Sequence, residues 1–170
     1  MSELPAASAA AAASTLPAYR AAIQPDWIDF NGHLRDAYYV LALSFAIDGV
    51  MDDLGLDAGY RERTHCTLYT LEVHLHYLHE VKGSDDLQVI SSILDYDRKR
   101  IHVGCRFVCP RVDEPVATAE MMLLHIHQGD KPSVASFPED VSAILEGLKV
   151  SAASREAFGP GSRKIEMKRR

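Results

Sequence analysis

The sequence predicts a single α+β domain in which an antiparallel sheet of about five strands curls around one long central helix. Three observations carry this. Only one stretch has the spacing of a long helix, at residues 35–54, where Val40, Leu43, Ile47, Val50, Met51 and Leu54 recur at three- and four-residue steps. Leu41, Ala42 and Phe45 widen that apolar face, so little of the helix should meet water and other structure must wrap it. Four strand-like runs follow at hairpin spacing, which implies antiparallel pairing because parallel neighbours need crossovers of a dozen or more residues.

The elements follow in order. Residues 19–24 are a short strand candidate stopped by Pro25. A turn at 29–34, with Asn31-Gly32 inside it, opens the long helix, and Gly55 ends it in the usual position for a helix stop. Residues 67–79 alternate, which puts Tyr69, Leu71, Val73, Leu75 and Tyr77 on one face. Residues 87–96 come after the turn residues Gly83-Ser84-Asp85. The charged run Asp97-Arg98-Lys99-Arg100 then leads into 101–109, where Ile101, Val103, Cys105 and Phe107 alternate with polar positions. Pro110 and Pro115 bracket a break before the last strand at 116–127, and a short closing helix follows Pro138 at 141–148. There is no internal repeat.

At 170 residues the chain suits one domain with tails, here residues 17–150. Residues 1–16 contain an alanine run from Ala9 to Ala13 but no Lys or Arg, and carry Glu3. They read as a flexible leader or linker, since a signal peptide needs a positive start. Residues 151–170, with Arg163, Lys164, Lys168, Arg169 and Arg170, read as a basic tail. A formal charge of -6 argues against nucleic-acid binding, which needs a basic face. No apolar run approaches the roughly 18 residues that span a bilayer. The 3 cysteines are odd in number and form no Cys-x-x-Cys pair, so a reduced, cytoplasmic protein is expected.

The chemistry concentrates in Asp29-Phe30-Asn31-Gly32-His33-Leu34. A carboxylate stands just ahead of a helix start, where backbone N–H groups lack intrahelical partners. Asp29 can attack a carbonyl or deprotonate a water, while amides near Gly32, His33 and Leu34 receive the oxyanion. One well-placed oxyanion donor contributes about 2.7–4 kcal/mol to barrier lowering. The plainer reading makes Asp29 a cap or turn residue. Asn31 forms the turn or positions water, His33 braces the loop or serves as a base, and Asp36 caps the helix or faces solvent.

These residues carry a resemblance. Asp29-x-Asn31-Gly32-His33-Leu34 followed by Asp36-Ala37-x-Tyr39 resembles the opening of the long helix in hotdog-fold thioesterases of the 4-hydroxybenzoyl-CoA thioesterase type. Trp27-Ile28-Asp29-Phe30-Asn31-Gly32-His33 and Asp48-Gly49-Val50-Met51-Asp52-x-Leu54-Gly55 are similar, more closely, to the betainyl-CoA thioesterases of carnitine breakdown. The resemblance implies hydrolysis of a small acyl-CoA, betainyl-CoA being the first choice, with Asp29 as the acidic residue that does the work. Arg35 departs from the small polar residue that many relatives carry there. The resemblance also implies a homodimer or homotetramer with the site between chains, since open sheet edges need covering.

A betainyl group carries a quaternary ammonium that aromatic faces suit, and Trp27, Tyr38, Tyr39, Tyr69 and Tyr77 are the candidates, of which two or three are expected to line the pocket. Arg98, Lys99 and Arg100 could meet the phosphates of coenzyme A or could form a solvated turn. Glu72, His74 and His76 share a face, as do His125 and His127, but the polar side of a half-exposed strand gives the same pattern, and no metal is expected. No cofactor is called for either. Two alternatives remain: an enoyl-CoA hydratase, whose Asp and His lie five apart across Asn-Pro whereas Asp29 and His33 lie four apart across Asn31-Gly32, and a non-catalytic acyl-binding module.

Overall fold

Eighteen residues, Asp36–Asp53, form the long helix α1, close to the span its periodicity predicts. The structure, a computed structural model, describes residues 16–150. The expected tail and all of the expected leader but Leu16 lie outside them, and Leu16 is buried. The helix ends as its sequence requires. Gly55 adopts φ 75°, and the Leu56 amide returns to the Met51 carbonyl while Gly55 N–H bonds Asp52, a Schellman stop. Tyr39, Ala42, Leu43, Ala46, Ile47, Val50 and Met51 form its buried face. Val40, Leu41 and Phe45 are exposed, contrary to the expectation of a helix wrapped on most sides, because one sheet covers one side only.

The sheet is wholly antiparallel. Strands β1 (Tyr19–Ala21), β2 (Cys66–Tyr77), β3 (Leu87–Tyr96), β4 (Arg100–Val108) and β5 (Ala117–His127) lie in the order β1-β3-β4-β5-β2, with the short β6 (Ser133–Val134) beside β5. Three elements escaped the sequence reading: a 3-10 turn at Pro25–Trp27, the helix α2 (Ala58–Thr64) and β6. All are too short for a periodic signal. In α2 the available cue was Asp57, whose carboxylate caps the Tyr60 amide at 2.7 Å. The closing helix α3 (Glu139–Leu148) buries Val141 and Leu145, and Val150 N–H bonds the Ile93 carbonyl, tying the end of the domain to β3.

The edge strand β2 departs from simple alternation. Leu71 is an extra residue between Thr70, opposite Leu123, and Glu72, opposite Met122. Directly opposed residues share a face, so the bulge turns Tyr69 to the outer face with Leu124, while Val73, Leu75 and Tyr77 face the helix side with Met121, Ala119 and Ala117. The expected single face from Tyr69 to Tyr77 is therefore broken. Cys66, Cys105 and Cys109 are buried free thiols, and burial pushes Cys105 up to about 11, which leaves it inert as a nucleophile. Among the described residues no helix is long and apolar enough to cross a membrane.

Candidate active site

The Asp29–His33 turn is built from its own carboxylate. Asp29 Oδ1 accepts the amides of Asn31 at 2.8 Å and His33 at 3.0 Å, and its backbone N–H and C=O bond His33 O and Gly32 N. Gly32 sits at φ 81°, a conformation that side chains with a Cβ rarely adopt, so glycine is needed for the chain to close this loop. The His33 amide, ahead of the other bonds, holds the Asp29 carboxyl below the usual carboxylate range and keeps it ionised at neutral pH. Its Oδ2 has one distant contact, Asn31 Nδ2 at 3.5 Å.

One expectation about this turn needs correction. The amides of Gly32, His33 and Leu34 are all occupied, by Asp29 O, Asp29 Oδ1 and Val81 O respectively, and Arg35 N–H bonds Trp27 O. A helix leaves its first N–H groups unpaired only from its true start, and α1 starts at Asp36. The backbone donors at the helix mouth are accordingly those of Asp36 and Ala37, with Ala37 N–H also meeting Asp36 Oδ1 at 2.8 Å.

Beside this mouth lies a pocket of about 520 Å³, walled by His33, Asp36, Tyr39, Tyr77, His79 and Glu80. Tyr77 stands edge-on to Tyr39, ring centroids 5.2 Å apart, and its hydroxyl donates to the Asp36 carbonyl at 3.2 Å. Burial, then the neighbouring Tyr77, pushes the Tyr39 phenol up to about 12, so it stays neutral. Among the anticipated aromatics, Tyr39 and Tyr77 line this pocket. Trp27 and Tyr38 instead stack on one another at 4.8 Å, and Tyr69 faces the other side of the sheet. Asp29 lies in the turn that supplies His33 and Leu34 to the wall, but does not itself line it.

The basic run is elsewhere. Arg100 pairs with β5 at Leu124, whereas Phe107 and Tyr77 meet β5 at Ala117, seven residues away along the strand, roughly 23 Å. Asp97 organises that distant hairpin. It accepts the amides of Lys99 and Arg100 and the Arg100 guanidinium, which holds its carboxyl down to about 2. Arg98, Lys99 and Arg100 are thus hairpin residues at the far end of the sheet, and the cations on segments beside the mouth include Arg35, Lys82 and Arg111. Glu80, His79 and Lys82 went unread because they sit in a loop between strands with no motif to mark them. On the outer face, Glu72, His74, His102 and Glu120 cluster across three strands. Among the described residues no group of three or more His, Cys, Asp or Glu is arranged to hold a metal.

A family model for a thioesterase-like superfamily matches residues 23–145, which is most of the chain and includes both the turn and the pocket. The chain belongs to the thioesterase-like superfamily. A member from Pseudomonas aeruginosa described as a betainyl-CoA thioesterase is 41% identical over 133 residues, covering 78% of this chain and 83% of that one. An Agrobacterium fabrum L-carnitine dehydrogenase/betainyl-CoA thioesterase is 34% identical over 88% of this chain, which spans 31% of that longer protein. Among solved structures, a Staphylococcus aureus protein in complex with CoA superimposes with TM-score 0.81 at 26% identity, covering 95% of this chain and 100% of that one. The family's hotdog architecture, a curled antiparallel sheet with a long helix, is the fold described above.

Proposed function

We propose that this superfamily member hydrolyses a small acyl-CoA thioester, with betainyl-CoA as the substrate and betaine and coenzyme A as the products. The observation that carries the reading is the pairing of strong likeness to a betainyl-CoA thioesterase with a tyrosine-walled pocket at the mouth of α1. Two aromatic rings and the carboxylate of Asp36 suit a cationic, non-hydrogen-bonding acyl head. Asp29, ionised and with Oδ2 nearly unengaged, attacks the thioester carbon directly or takes a proton from a water that does. Asn31 orients that carboxylate, Gly32 permits the turn, and His33 stands at the pocket wall. The amide of Asp36, the first of the helix, is the donor offered to the developing oxyanion. Arg35 and Lys82 offer charge for the phosphates of coenzyme A.

The working unit is a homodimer or a homotetramer. Along its free side β2 exposes Tyr69, Leu71 and Val73, an apolar edge that a second copy would cover, bringing partner residues toward the shallow pocket. Three buried free thiols suit a reducing compartment, the cytoplasm.

The test is a hydrolysis screen of betainyl-, acetyl-, aromatic and medium-chain acyl-CoA, run beside Asp29→Asn. Asparagine still offers an oxygen to the two loop amides, so the turn should persist. Turnover should favour betainyl-CoA and fall by about two to four orders of magnitude in the variant. Full activity in Asp29→Asn would remove its role, and silence toward every thioester would remove the enzyme.

A further inference from the structure

We propose that Glu80 is the positioning residue for His33, and that His33 held in this way delivers the proton to the departing sulfur. The proposal rests on the thioesterase reading and adds to it a residue and a step. His33 Nε2 lies 2.7 Å from Glu80 Oε2, and both residues wall the pocket. In this arrangement Nε2 is the nitrogen turned to the Glu80 carboxylate, and Nδ1 is the one left for the pocket's chemistry. Nδ1 has no hydrogen bond to the described residues.

The Glu80 backbone is held there by a strut that also closes its loop. Arg111, from the β4–β5 connection, donates through Nη2 to the Glu80 carbonyl at 2.8 Å and grips Asp85 with Nε and Nη2. Asp85 Oδ2 accepts the Lys82 amide at 2.8 Å, closing the loop on itself. That loop is laced to the catalytic turn, because Leu34 N–H bonds Val81 O at 2.7 Å and His33 pairs with Lys82 in an isolated bridge. Glu80 and His33 therefore belong to two segments fixed against each other by backbone bonds. A side-chain contact mounted on such a frame keeps its geometry at little cost in entropy.

The step balances without an outside oxidant or reductant. Nδ1 first takes one proton from the water that completes hydrolysis, directly or by way of Asp29. The C–S bond breaks with its electron pair on sulfur, and sulfur takes that proton from Nδ1, so thioester and water give acid and thiol. Throughout, the Glu80 carboxylate opposes the ring's positive charge and fixes its plane. The titratable groups around the ring include Asp29 on the turn, Asp36 and Tyr39 on the helix, Tyr77 on β2, and His79 and Lys82 on the loop.

The experiment is a double-mutant cycle on betainyl-CoA with wild type, Glu80→Gln, His33→Asn and the pair. Glu80→Gln should lower kcat roughly tenfold to a hundredfold with KM little changed. In the His33→Asn background the same substitution should cost less than about twofold, since Glu80 then has nothing to position. Equal losses in both backgrounds, or a raised KM with kcat kept, would overturn the proposal. Should Glu80→Gln fold poorly, Glu80→Asp withdraws the carboxylate by one methylene and should give the same pattern. Ring nitrogen NMR of His33 without substrate is a separate measure: the proton preference for Nε2 should be lost in Glu80→Leu, which offers no acceptor, and an unchanged ring would also overturn it. Wild type inactive on every thioester would refute the underlying enzyme reading, whereas active wild type with additive losses would refute only this proposal.

Discussion

Replacing Tyr77 by Leu tests where the acyl head sits. In the described protomer Tyr77 is 52% exposed, so its ring is available to a ligand and is not a core element. A cation over such a ring gains about 0.5–1 kcal/mol when exposed and about 2 when water is excluded. A half-covered ring places the expected loss near 1 kcal/mol, or about fivefold in kcat/KM. The comparison substrate is 3,3-dimethylbutyryl-CoA, which replaces the quaternary nitrogen of betainyl-CoA by carbon and keeps its shape. Leucine still offers this neutral isostere an apolar surface, so its turnover should change little. The assay is the ratio of kcat/KM for the two thioesters in wild type and variant. The structural side effect is modest: loss of the edge-on contact with Tyr39 costs about 0.5–1.5 kcal/mol, which a domain with about 5–15 kcal/mol of stability survives. An equal fall for both thioesters would show that Tyr77 only shapes the site. No change for either would place the acyl head elsewhere.

Other perturbations probe the supports. Gly32→Ala should destabilise by about 1–2 kcal/mol from left-handed strain alone, since nothing lies within 4 Å of the added Cβ, and Gly32→Asn should cost less; thermal melts compare them. His125 is buried between the Tyr60 hydroxyl at 3.0 Å and the Ala135 carbonyl at 3.2 Å, and burial depresses its pKa. The unfolded chain therefore binds the proton more readily, so stability should hold above about pH 6.5 and decline as pH falls below it, as denaturant midpoints across that range would record. His125→Leu should cost about 1–3 kcal/mol for each polar partner left unsatisfied and should abolish that pH dependence. Leu71→Lys, at the exposed bulge of β2, should shift the protein toward monomer by light scattering and lower activity with it; an unchanged assembly would place the interface elsewhere.

The long helix was legible because eighteen residues give five turns over which apolar spacing repeats, and its glycine stop has a conformational cause. Strands β3 to β5 were legible because each alternates over most of its length between a buried and a half-exposed face, although β3 too carries a bulge at Leu94. In β2 the alternation was present as well, yet the bulge at Leu71 reverses it. A bulge depends on how two strands pair, so Tyr69 and Tyr77 looked equivalent when they are not. Candidate donors were misplaced for a similar reason. The motif marks where the loop turns, but a partner from another part of the chain, Val81, occupies the Leu34 amide.

What the sequence determined by itself was local: one long helix, antiparallel strands, and an acidic turn whose glycine and carboxylate define each other within five residues. Which groups share the pocket was decided only in three dimensions. Glu80 stands 47 positions after His33, and Arg111 a further 31 after Glu80, so no periodicity links them. Their meeting follows from strand order and from two loop segments pinned by backbone bonds, because charged side chains take their partners from whatever the packed sheet brings within reach.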